Sequence, residues 1–115
     1  MHINKYAKLS YDHIDYDYKR YIFKKPYVVE ISFDPETSLY TAIDNYNLVD
    51  VYEDSYDEVV EFISEDFSTL WEIYGCEDDI NLTLDAILLK QTLLEIVDRV
   101  VDIKENKTIY ESKIY

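Results

Sequence analysis

Along residues 13–19 the polar side chains His13, Asp15, Asp17 and Lys19 alternate with Ile14, Tyr16 and Tyr18. Successive side chains on a strand face opposite ways. This period of two, with aromatics on one side, predicts a half-buried strand running on towards Phe23. Lys24-Lys25-Pro26 interrupts it. Tyr27, Val29, Ile31 and Phe33 then line one face of a second strand, and Asp34-Pro35-Glu36-Thr37 reads as a turn with proline pre-set for its second position. Leu39, Thr41 and Ile43 mark a third strand and residues 48–52 a fourth. Loops this short join antiparallel neighbours, so the four form a meander. Residues 1–12 are only weakly patterned.

The period then lengthens. Ser55 with Glu58 three residues later is a capping box, the signature of a helix start. From there Tyr56, Val59, Ile63, Phe67, Leu70 and Tyr74 share one stripe of a helix, widened by Val60 and Trp71. Gly75, the only glycine, stands where a left-handed residue would end that helix. The opposite face carries Asp57, Glu61, Glu65 and Glu72, with Glu58 beside them. Residues 76–81 form an acidic loop. Thr83 or Asn81 caps a second helix over residues 84–101, whose apolar half includes Ala86, Leu89, Leu93, Ile96, Val97 and Val100. Leu88 faces away from that half and is a candidate contact residue. After a turn at Glu105-Asn106-Lys107, residues 108–115 alternate enough for an edge strand. The expected fold is α+β, an antiparallel meander of four to five strands with two helices packed on one face. It is one domain of 115 residues, with a Tyr-rich extension or strand over residues 1–25, a core over 27–101 and a tail or edge strand over 102–115.

Charge changes the picture more than composition does. Residues 26–89 contain no lysine or arginine and seventeen acids, whereas residues 1–25 hold six bases against three acids. Surfaces normally intersperse both signs, and like charges one helical turn apart repel. A block of one sign that persists in a folded domain points to a basic partner. The net charge of −14 argues against direct binding to nucleic acid or an anionic membrane. Thirteen tyrosines argue against an acidic disordered chain. The single Cys76 cannot form an internal disulfide, which suits a reducing cytoplasm. No apolar run is long enough to span a membrane.

Candidate chemistry is sparse. The pairs Asp57/Glu61 and Glu61/Glu65 lie on a solvated face, where neither metal binding nor general acid–base work is expected. Glu77, Asp78 and Asp79 lack the spacing and glycine of a calcium loop. Two histidines and one cysteine are too few for a zinc site by themselves. One glycine rules out a Gly-rich phosphate loop. A Cys76–His13 nucleophile pair has nothing in the sequence to favour it, and an acidic neighbourhood raises a thiol pKa. No catalytic residue, metal or cofactor is expected. Exposed tyrosine beside carboxylate is a common protein-binding surface. The candidate partner-binding residues are therefore Asp57, Glu58, Glu61, Glu65, Glu72, Glu77, Asp78 and Asp79, with Tyr52, Glu53, Asp54 and Leu88 as further contacts.

Two stretches carry a family resemblance. "EISFDPETSLYTA", a further hydrophobic strand and "DSYDEVVEFISEDFSTLWEIY" follow the order of the HicB-like antitoxin domain, and "DINLTLDAILLKQTLLEIV" resembles the second-helix segment of small HicB-like proteins, with its "LT-x-DA-x-x-LK" element after an "LWE-x-Y" helix end. The similarity covers about residues 27–97. It implies a degenerate RNase-H-like α+β fold without catalysis that masks a small basic RNase toxin, often beside a DNA-binding module. The chain departs from that pattern at Asp50-Val51-Tyr52-Glu53-Asp54, where the family has a glycine-containing turn, in the extension over residues 1–25, and in showing no helix-turn-helix or ribbon-helix-helix after residue 101. Two settings follow: an antitoxin, or a phage- or mobile-element-encoded DNA mimic inhibiting a host defence nuclease, as anti-CRISPR proteins do. A structural module, possible as a homodimer, whose acidity serves solubility alone is the contrasting class.

Overall fold

The computed structural model describes residues 4–112. One long strand, β2 (Lys19–Asp34), is the spine. β1 (Asn4–Tyr16) pairs antiparallel along nearly all of it, from Asn4 opposite Phe33 to Tyr16 opposite Lys19. β3 (Leu39–Asp44) pairs with the second half of β2, and β4 (Asp50–Glu53) lies outside β3. β5 (Val97–Asp102) pairs with the first half, and β6 (Lys107–Glu111) lies outside β5. The sheet is thus six-stranded, antiparallel and forked from one strand, where four to five strands were expected. Helices α1 (Tyr56–Leu70) and α2 (Leu84–Ile96) complete an α+β domain.

The core is aromatic because β2 alternates Tyr21, Phe23, Tyr27, Val29 and Ile31 onto the helix side, all buried. Phe67 of α1 meets Tyr21, Phe23 and Tyr27 edge-on at centroid distances of 5.5, 5.2 and 5.4 Å. Each large side chain buried this way contributes roughly 1.5–3 kcal/mol.

Four local expectations give way to tertiary structure. The alternation over residues 13–19 is cut by a two-residue hairpin turn, since Asp17 and Tyr18 both have positive φ (50° and 62°). That turn matches the twist of the flanking strands, and tyrosine rather than glycine at its second position hides it from the sequence. Residues 4–12, weakly patterned, are strand because β2 pairs with them. Lys24-Lys25-Pro26 bulges β2 without ending it: only Asp12 separates Tyr11 from His13, while four residues separate their partners Tyr27 and Ile22. Proline, lacking an N–H, suits such a bulge. Finally, the second helix stops at Ile96, not residue 101. The β-branched Val97, Val100 and Val101 join the sheet, with Val97 and Val100 fully buried opposite Phe23 and Tyr21.

Gly75 serves a different purpose from the one its position suggests. α1 passes into a π-helical turn, Trp71–Gly75, closed by the Cys76 N–H donating to the Trp71 carbonyl at 3.0 Å. No glycine has positive φ. A Cβ on Gly75 would instead lie 2.8 Å from Cε3 of the buried Trp71 ring. Gly75→Ala is expected to cost about 1–3 kcal/mol of stability by overpacking, read as a lowered denaturant midpoint. An unchanged midpoint would mean the indole moves aside freely.

Candidate functional site

Ser55 has extended backbone, and its Oγ accepts the Glu58 N–H at 3.1 Å, so α1 begins where the capping signal places it. Val59, Ile63, Phe67 and Trp71 are buried beneath it. The opposite face is consequently turned to solvent, with Asp57, Glu58 and Glu61 exposed and Glu65 half-buried. None of these four, nor Glu53, Asp54 or Asp66, has an ion-pair partner among the described residues. Carboxylate oxygens of Glu53, Asp54 and Glu58 approach within 4.8 Å of one another at the helix start. The positive end of the helix dipole offsets part of their repulsion. Desolvation, then Asp54 and Glu53, raise the Glu58 carboxyl above its ordinary value. Three oxygens this close are the donor type a hard divalent cation accepts.

Further along, the acidic row is answered from within the chain. Lys19 of β2 donates to Glu72 Oε1 at 2.9 Å. Glu77 accepts from the Asp78 N–H and from Asn81 Nδ2, both at 2.9 Å, and these bonds hold its carboxyl below its usual range. Lys90 reaches Asp79 Oδ1 at 2.9 Å and the Glu77 carbonyl. Asp78 is exposed. The proposed row thus divides into an unpaired part, from Glu53 to Glu65, and a part in which Glu72 is tied to β2 while Glu77 and Asp79 hold the loop between the helices and the Asp78 carboxylate points to no partner among the described residues.

Beside the unpaired part, between β4 and α1, lies a cleft of about 300 Å³ lined by Asp50, Tyr52, Glu53, Phe62, Glu65 and Asp66. Tyr52 is 58% exposed and donates to Asp50 Oδ2 at 3.1 Å. Burial raises the Asp66 carboxyl, with Asp50 and Asp44 adding, although the Asp50 N–H at 3.4 Å works the other way. Glu65 foremost, with desolvation, Asp17, Glu61 and Glu72, raises the phenol of the exposed Tyr16 at the end of β1. Leu88 is 54% exposed on α2, as its position on the wheel requires.

Asp44 and Tyr27 form a buried pair that sequence reasoning does not single out. The Asp44 carboxylate accepts the backbone N–H groups of Tyr46 (2.6 Å), Leu48 (3.2 Å) and Val49 (2.9 Å), and the Tyr27 hydroxyl. Burial, then the Asp44 charge, raises the Tyr27 phenol far above its ordinary value. Asp44 is followed by Asn-Tyr-Asn, and an aspartate ahead of such a stretch commonly bonds the backbone after it. That was the available signal. The pair organises the β3–β4 connection, which carries Asp50, Tyr52 and Glu53 into place.

His13 lies 4.0 Å from Asp15 on the β1 strand, whereas Cys76 follows the π-helical turn, its thiol raised by burial and by Glu72. No helix among the described residues is long and apolar enough to cross a membrane. No family model, curated protein or solved structure matches the chain.

Proposed function

We propose that this is a non-catalytic acidic binding protein that masks the basic surface of a nucleic-acid-acting partner. The observation that carries the reading is the row Glu53, Asp54, Asp57, Glu58, Glu61 and Glu65, set by the end of β4 and the capped helix that follows it and left without internal cations among the described residues. Carboxylates arrayed this way compete with phosphates for lysine and arginine and steer association at low salt. Tyr16 and Tyr52 add aromatic contact area at small entropy cost.

The preferred setting is an antitoxin neutralising a basic RNase toxin in the reducing cytoplasm. The resemblance to the HicB-like domain motivates it, and the order of antiparallel strands followed by an acid-rich helix over β2, β3, β4 and α1 is in keeping with it. The same row would suit a phage-encoded DNA mimic directed at a defence nuclease. A pull-down of the tagged protein from its native host, or from that host's viral target, tests the reading. One basic nuclease or toxin, retained at low salt and released at high salt, is the expected result. A folded protein that retains nothing at either salt would end the charge-masking reading.

A further inference from the structure

The outer edge of β1 is the longest unpaired feature of the sheet. β1 pairs with β2 alone, and among the described residues no other backbone bond reaches it. A strand of this length with one open side is a template for another strand. Its charges are ordered: Lys5 and Lys8 precede Ser10, and Asp12 and Asp15 follow it. An antiparallel copy centred on Ser10 places Lys8 opposite Asp12 and Lys5 opposite Asp15, twice over in a two-fold pair; Lys5 is already paired to Glu30 at 3.3 Å and Asp15 to Arg20 at 2.7 Å within the chain, so Lys8 and Asp12 are the charges that a second copy would answer. The faces agree for Lys5, Lys8 and Asp15. Lys5 and Lys8 stand opposite Ser32 and Glu30, which alternate with the buried Val29 and Ile31, and Asp15 stands opposite Arg20, beside the buried Tyr21. The register irregularities fall between Lys5 and Ala7 and between Tyr11 and His13, so the regular stretch runs over residues 7–11 and Asp12 stands at its end.

We infer that β1 is a self-complementary edge through which two copies of this chain form an antiparallel dimer with a continuous sheet. The wider charge distribution supports a second copy as the occupant. The acid block would repel its own image, but β1 itself is balanced, with Lys5 and Lys8 against Asp12 and Asp15. The symmetry axis of such a pair stands perpendicular to the sheet. Both helix layers then share one face, and two acidic rows are presented side by side.

Sedimentation of the wild type, of Lys8→Glu, of Asp12→Lys and of an equal mixture of the two variants tests this. The wild type should dimerise. Each variant alone sets like charges opposite one another twice and should weaken dimerisation about tenfold. The mixture should recover wild-type association. In a mixed pair the introduced glutamate of one variant faces the introduced lysine of the other, while the native Asp12 faces the native Lys8. Circular dichroism confirms that each variant is folded. A wild type that is monomeric at every concentration overturns the inference and leaves the edge to a foreign strand. A dimer indifferent to both substitutions, or one lost in the variants and not recovered on mixing, overturns it equally.

Discussion

Asp44→Ala is expected to lower the free energy of unfolding by about 3–5 kcal/mol, the largest loss of any single substitution outside the aromatic core. Removal of the carboxylate strands the N–H groups of Tyr46, Leu48 and Val49 together with the Tyr27 hydroxyl, in a site where Asp44 is 6% exposed. A buried donor without an acceptor loses its full hydration, which costs more than a hydrogen bond gains. A domain of this size has about 5–15 kcal/mol to lose. Asp44→Asn keeps an acceptor oxygen, and its amide can donate to the Tyr27 oxygen, so roughly half the loss is expected. Tyr27→Phe removes one donor and keeps the ring stacked on Phe23 at 4.8 Å, for a cost of about 1 kcal/mol. Urea titration of the three variants gives the ranking. A loss below about 1 kcal/mol for Asp44→Ala would mean that the β3–β4 connection is held by something other than this carboxylate.

Glu61→Lys combined with Glu65→Lys is expected to weaken partner binding by at least about 100-fold, because like charges brought together at an interface cost several kcal/mol. Folding should be unaffected or slightly improved, since the lysine at position 61 lies one turn from Asp57 and Glu58, both exposed and without an ion-pair partner among the described residues. The control is Glu36→Lys with Glu105→Lys, two exposed positions in turns remote in sequence from α1. It changes net charge by the same amount without touching the row. Loss of binding in the first pair and retention in the second would locate the interface on α1. Equal losses would show that overall charge alone drives association, and full retention in both would remove the helix face from the interface. The helical melt, followed by circular dichroism, separates either outcome from unfolding.

What was legible beforehand was whatever rests on local periodicity. Val59, Ile63, Phe67 and Trp71 are spaced so that any helix through them buries one face, and Ser55 marks its start. Tyr27, Val29 and Ile31 alternate so that a strand through them buries one face too. What escaped depends on residues distant in sequence. Residues 4–12 become strand only because β2 offers them an edge. Val97 and Val100 continue a helical stripe as well as they begin a strand, and burial against Phe23 and Tyr21 decides between the two. The division of the acidic row follows from Lys19 meeting Glu72 across 53 positions and Lys90 meeting Asp79 across 11, matches that no periodicity encodes. Asp44 was hidden for the same reason, since its role is set by Tyr27 and by the loop folding back over it.

Trp71, the only tryptophan, sits 3% exposed with its ring 4.9 Å from Tyr110 of β6 and 6.2 Å from Tyr21 of β2. An indole in that position is a built-in lamp at the junction of the helix, the spine strand and the last strand. Its emission should be blue-shifted and fed by energy passed from the surrounding tyrosines, and it should redden when β6 lifts away. Binding on the acidic row of α1 would leave it nearly unchanged. Detachment of the C-terminal strand and engagement of a partner can thus be told apart by unlabelled fluorescence, in one cuvette, from a single chromophore.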